Sequence, residues 1–121
     1  MTSIILYALA LALFQIWLIP MLLKLNHLPY LLSNRDQAIE VSPMTERVQR
    51  AAINLQESMP AFLTICLLAI ISSTDLVVLG TAWLLLRVIY LLCYSFGILY
   101  VRSLVWIGSV IVMVLMAVGL A

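Results

Sequence analysis

The sequence predicts an all-α integral membrane protein, a single four-helix bundle with antiparallel, up-and-down protomer topology. Three observations carry this. Of the 121 residues, 66% are hydrophobic and 9% are charged, whereas a soluble domain is about half apolar and about a quarter charged. The mean hydropathy is +1.23. The apolar residues fall into four runs joined by short polar links, and links this short make consecutive helices antiparallel neighbours. A net charge of +1 leaves no basic surface to neutralise phosphates, which argues against a nucleic-acid partner.

The spans are expected at about residues 4–25, 47–72, 76–95 and 103–120, each near the ~20 helical residues that cross a hydrocarbon core. The first run, "MTSIILYALALALFQIWLIPM", lacks a basic leader region and is longer than a signal-peptide core. It reads as a retained span that Pro20 kinks. The polar link "NHLPYLLSNRDQAIEVSP" follows. The third and fourth spans are separated by residues around "GILY".

The second span is the irregular one. Its uninterrupted apolar part, Pro60–Ile71, covers about 18 Å at ~1.5 Å per residue, short of the ~30 Å needed. The helix must therefore borrow from "ERVQRAAINLQESMP". That places Asn54 and Glu57 at membrane depth and Arg50 near the interface. Such groups are costly in lipid and should face the bundle interior or a wet cavity. Arg50, Asn54 and Glu57 stand at i, i+4 and i+7, on one helix face. Pro60 cannot bond the Gln56 carbonyl, which frees a backbone acceptor beside Glu57.

The third span repeats the pattern with Arg87, Tyr90 and Tyr94. Counted from the Ser72–Asp75 turn, Glu57 and Tyr90 both lie about 22 Å down, and Asn54 and Tyr94 about 27–28 Å. Arg87 falls within reach of Glu57. Arg102 and Ser103 open the fourth span at the same end. Lys24, Arg35, Arg47 and Arg50 lie in or beside the first link, whereas the second link holds only Asp75. The positive-inside rule therefore places the polar end in the cytoplasm and both termini opposite.

Arg50, Arg87 and Arg102 outnumber Glu57, and an unpaired buried arginine is expensive, so an anionic partner is implied. A ligand with carboxylates suits the guanidinium fork, Glu57 could receive an ammonium group, and Asn54 offers both donor and acceptor. An arginine beside a thiol favours the thiolate, the reactive nucleophile. Other residues have plainer readings. Cys66 and Cys93 read as buried small hydrophobes with no metal-ligand spacing. Lys24, Arg35 and Arg47 read as snorkelling flanks and His27 as a loop residue. Trp17, Trp83 and Trp106 read as packing or interface anchors, and Gln15 as an interhelical hydrogen bonder.

The second-span pattern Arg50-Ala51-x2-Asn54-x2-Glu57-x2-Pro60, together with "RVIYLLCYSFGILYVRSLVW" from Arg87 to Trp106, resembles the two signatures of the MAPEG family. These are the membrane-associated proteins in eicosanoid and glutathione metabolism. The resemblance covers nearly the whole chain and is closest in style to the leukotriene-synthase and microsomal glutathione transferase members. It implies a homotrimer, with glutathione bound between protomers near the cytoplasmic face and a lipophilic second substrate entering from the bilayer lipids. It implies that Arg50, Asn54, Glu57, Arg87, Tyr90 and Tyr94 hold glutathione. Arg102 then stabilises its thiolate, with Ser103 as a neighbouring thiol partner. Two departures are present: Ile53 stands where some members carry an arginine, and Tyr90 where some prostaglandin-synthase-like members carry a histidine.

The expected function is a glutathione-dependent membrane transferase or peroxidase acting on lipophilic electrophiles or lipid hydroperoxides, with a detoxification role. Its expected location is a bacterial inner membrane. The alternative is a non-catalytic lipid- or glutathione-binding scaffold of the same fold. A small multidrug exporter would need a first-span glutamate, where this chain has only Gln15.

Overall fold

The computed structural model describes residues 1–25, 29, 32 and 42–121. His27 and Arg35 lie outside the described residues. Among the described residues, four helices are long and apolar enough to cross a membrane. They are α1 (Thr2–Leu23), α2 (Pro43–Ile71), α3 (Val77–Ser95) and α4 (Leu99–Leu120). Among the described residues there is no strand. The helices pack mainly as α3 on α4 and α2 on α3, with α1 against α2 and α3.

Helix α2 begins before the expected residue 47 because "SPMTE" is a complete helix start. Ser42 is the N-cap and its Oγ accepts from the Thr45 N–H at 3.2 Å. Pro43 occupies the first turn, where its missing N–H costs nothing, and Glu46 faces the positive end of the helix dipole. At 29 residues the helix is about 43 Å long, so its first turns project beyond a ~30 Å core. Helix α2 runs on through Pro60. Beside the proline, Ser58 Oγ donates to the Leu55 carbonyl at 2.8 Å and Thr64 Oγ1 to the Pro60 carbonyl at 2.7 Å.

Pro20 is accommodated in α1 by a widened turn. Leu13–Leu18 is π-helical, and the Ile19 N–H bonds the Phe14 carbonyl five residues back. A proline both lacks the N–H and crowds the carbonyl four residues earlier, and a π turn relieves that crowding. The wide turn carries Gln15, which is 0% exposed, and neither atom of its amide has a partner among the described residues. A buried, unpaired amide costs about 1–3 kcal/mol. Gln15→Leu is therefore expected to raise the thermal unfolding midpoint in detergent. A lowered midpoint would mean that the amide is bonded in the membrane-embedded protein.

The core is built on a close pair. Phe62 of α2 stacks on Trp83 of α3 with ring centroids 3.8 Å apart and planes 11° from parallel. Ile4, Ala8, Leu55, Cys66 and Met116 belong to the buried cluster around them. Gly80 lets α1 approach α3, since a Cβ there would stand 3.1 Å from Ile4 Cγ2. Large apolar side chains such as Leu6, Val78, Leu104 and Val118 stay exposed, which gives the bundle the outer surface that lipid solvates.

The C-terminus of α3 is closed by backbone geometry and by one arginine. Gly97 has φ +73°, a left-handed conformation that favours glycine. The Ile98 N–H bonds the Cys93 carbonyl at 2.9 Å and the Gly97 N–H bonds the Tyr94 carbonyl at 3.2 Å, the paired bonds of a Schellman cap. Arg47 Nε donates to the Ser95 carbonyl at 3.3 Å. Arg47 is thus a cap at the negative end of the α3 dipole, not the free snorkelling flank that its position suggested.

Candidate functional site

Arg87 sits midway along α3 and is 1% exposed. A charge that deep needs a partner, and the structure supplies Asn54 of α2: Arg87 Nη2 donates to Asn54 Oδ1 at 2.8 Å. Glu57, which the sequence puts within reach of Arg87, is not its partner. Three residues of helix turn Glu57 about 60° away from Asn54, and Glu57 is exposed. The rest of the guanidinium is held by aromatic faces. Its Cζ lies 4.7 Å from the Tyr90 ring centroid and 5.9 Å from that of Trp83, within cation–π range. Arg87 Nε has no hydrogen-bond partner among the described residues.

One turn further on, Tyr94 meets Tyr90 edge to face, with centroids 5.6 Å apart and planes at 64°. Tyr94 organises the two other arginines. Its hydroxyl accepts from Arg50 Nε at 3.2 Å. Its face lies 4.6 Å from Arg102 Cζ, contributed by the first turn of α4. Three guanidinium groups from three helices thus converge on two phenol rings. Each is held there by an aromatic face or a neutral oxygen.

A cleft of about 380 Å³ opens over this arrangement, lined by Asn54, Tyr90, Tyr94, Arg102, Ser103, Trp106 and Ile107. The structure brings five of the expected site residues onto the cleft wall. Arg87 lies beneath them, and Arg50 reaches them through the Tyr94 hydroxyl. Glu57 is not part of the wall. Positive charge with hydroxyl and amide donors around an open cleft suits a ligand that carries carboxylates. Apart from Glu57, the polar residues that match the MAPEG signatures therefore gather in one place, across α2, α3 and α4. The sequence also matches the MAPEG family over residues 4–121.

The chain belongs to the MAPEG family.

Membership and four membrane-length apolar helices make it an integral membrane protein of the group concerned with eicosanoid and glutathione metabolism. Comparison with curated proteins and with solved structures gave no match.

Two features of this MAPEG chain go beyond the roles read from its signatures. Trp106 and Ile107 line the same cleft as Arg102, although Trp106 reads from sequence as a packing or interface anchor. The available signal was spacing, because Trp106 stands four residues beyond Arg102 and so shares its helix face. A second and larger cleft, of about 560 Å³, lies between α1 and α2 and is lined by Trp17, Lys24, Gln49 and Gln56 among others. Lys24 therefore faces a different cleft from Arg102 within one protomer. Cys66 and Cys93 are free and buried.

Proposed function

We propose that this protein binds glutathione in the cleft between α2, α3 and α4. There it conjugates glutathione to lipophilic electrophiles or uses it to reduce lipid hydroperoxides. The observation that carries the reading is the convergence of Arg50, Arg87 and Arg102 on Tyr90 and Tyr94. The two glutathione carboxylates match surplus guanidinium charge. Asn54, Tyr90 and Tyr94 supply hydrogen bonds and apolar contact along the peptide, and Glu57, exposed outside the cleft wall within one protomer, is left to meet the ammonium group at a protomer boundary.

Arg102 is the residue assigned to the thiol. A guanidinium beside sulfur favours the thiolate, and Ser103 offers a hydroxyl to the same atom. In conjugation the thiolate sulfur bonds the electrophilic carbon while the leaving group departs with its bonding pair. In peroxide reduction the sulfur takes the terminal peroxide oxygen, releasing an alcohol. A second glutathione then converts the sulfenic acid to a disulfide and water.

Exposure on the isolated protomer supports an assembly. Glu57 is exposed although it lies about 21 Å along α2 from its far end at Ile71, inside a ~30 Å core. A charged group at such depth does not face lipid, so in this reading a neighbouring copy covers it, in the homotrimer with glutathione between protomers that the family resemblance implies. The basic residues around the first link and Arg102 favour the cytoplasmic side for this end.

The test is turnover. Detergent-purified protein is assayed with glutathione against a panel of lipophilic electrophiles and a lipid hydroperoxide. Product formation that saturates with glutathione is expected. Glutathione binding without turnover on any of them would make the protein a non-catalytic scaffold.

A further inference from the structure

The cleft wall is polar at Asn54, Tyr90, Tyr94, Arg102 and Ser103 and apolar at Trp106 and Ile107. Trp106 is 41% exposed and Ile107 is 46% exposed, so much of both side chains is free to meet a ligand. Arg102 and Trp106 are neighbours on one face of α4, with Cβ atoms about 5–6 Å apart. Four residues of helix set Trp106 about 6 Å deeper along α4 than Arg102. Beyond it the outer face of α4 is continuously apolar, with Ile111, Val114 and Val118 exposed.

We propose that Trp106, flanked by Ile107, is the platform for the second substrate and selects flat, electron-poor aromatic electrophiles over flexible aliphatic ones. This rests on the glutathione reading of the same cleft. A sulfur held at Arg102 lies beside the indole. A ring stacked by one face on that indole leaves its other face open to a sulfur approaching the reacting carbon from above the ring plane, whereas an alkyl chain gains only weakly discriminating apolar contact. The electron-rich indole face prefers a ring depleted by nitro or carbonyl groups. With 1-chloro-2,4-dinitrobenzene, the thiolate sulfur bonds the carbon bearing chlorine and the nitro oxygens carry the added negative charge. The carbon–chlorine bond then breaks, and chloride leaves with the bonding pair.

The test compares Trp106→Leu and Trp106→Phe with the unsubstituted protein on two electrophiles, 1-chloro-2,4-dinitrobenzene and 1-iodohexane. Glutathione affinity and thiolate absorbance are measured in parallel. Trp106→Leu is expected to lower kcat/KM for the aryl chloride about tenfold, the size of one lost aromatic stacking contact. The alkyl iodide should stay within about twofold, since apolar contact is preserved. Trp106→Phe should keep most of the aryl rate, and glutathione affinity should not change in either variant. Equal losses on both electrophiles, or no loss on either, with glutathione binding intact, would overturn this inference alone. Failure of the unsubstituted protein to bind glutathione would overturn the functional reading and this inference with it.

Discussion

Arg102→Ala is expected to lower glutathione transferase turnover by a factor of about 10²–10³, the usual effect of removing one group that stabilises developing or stored negative charge in a dry site. The structure explains why the fold should survive. Arg102 is only half-buried, and its recorded partner is the face of Tyr94 at 4.6 Å. Such a contact is worth about 0.5–1 kcal/mol at an exposed site. Rate and stability should therefore separate in this variant, with size-exclusion profile and helical content unchanged while kcat collapses. Arg102→Lys keeps the charge but loses the planar fork, so an intermediate rate is expected. Unchanged turnover in Arg102→Ala would remove the residue from the chemistry.

Asn54→Leu should do the opposite and damage the fold first. Arg87 is 1% exposed and its recorded hydrogen bond goes to Asn54 Oδ1. Removing that acceptor strands a buried charge, at a cost of about 3–5 kcal/mol. The measurement is the thermal unfolding midpoint in detergent. Its companion is the double variant Asn54→Leu with Arg87→Met, in which no charge is left behind. Stability should then largely recover, because replacing both members of a buried polar pair by apolar groups is far less costly than breaking it. Glutathione affinity should stay weakened in the double variant, since both its amide and a guanidinium are gone. A single variant as stable as the unsubstituted protein would show that Arg87 finds another acceptor.

What the sequence could and could not reveal follows from the kind of information each feature needs. The all-helical, four-span architecture was legible because hydropathy and length are properties of one helix at a time. The convergence of polar residues at one end was legible too, because antiparallel neighbours share depth. Pairings across helices were harder, since they depend on rotation. Glu57 and Asn54 lie close in depth, and the turn between them gives Arg87 to Asn54. Arg47 looked like a flank because its partner, the Ser95 carbonyl, is a backbone atom in a distant turn, and no side-chain pattern marks it. The start of α2 at Pro43 was signalled by Ser42, Pro43 and Glu46, but a search for apolar length passes over a polar first turn. Trp106 was assigned to packing because tryptophan is common at membrane interfaces. Only the shape of the cleft beside Arg102 gives it a second role.

The most direct test of the account is titration of the detergent-purified protein with glutathione by calorimetry, following the ultraviolet absorbance of the thiolate in the same samples. The account predicts saturable binding accompanied by a thiolate band, with Arg102→Ala still binding glutathione but losing the band. An absence of binding at millimolar glutathione would contradict it and return Arg50, Arg87 and Arg102 to a purely structural role among the aromatic rings that hold them.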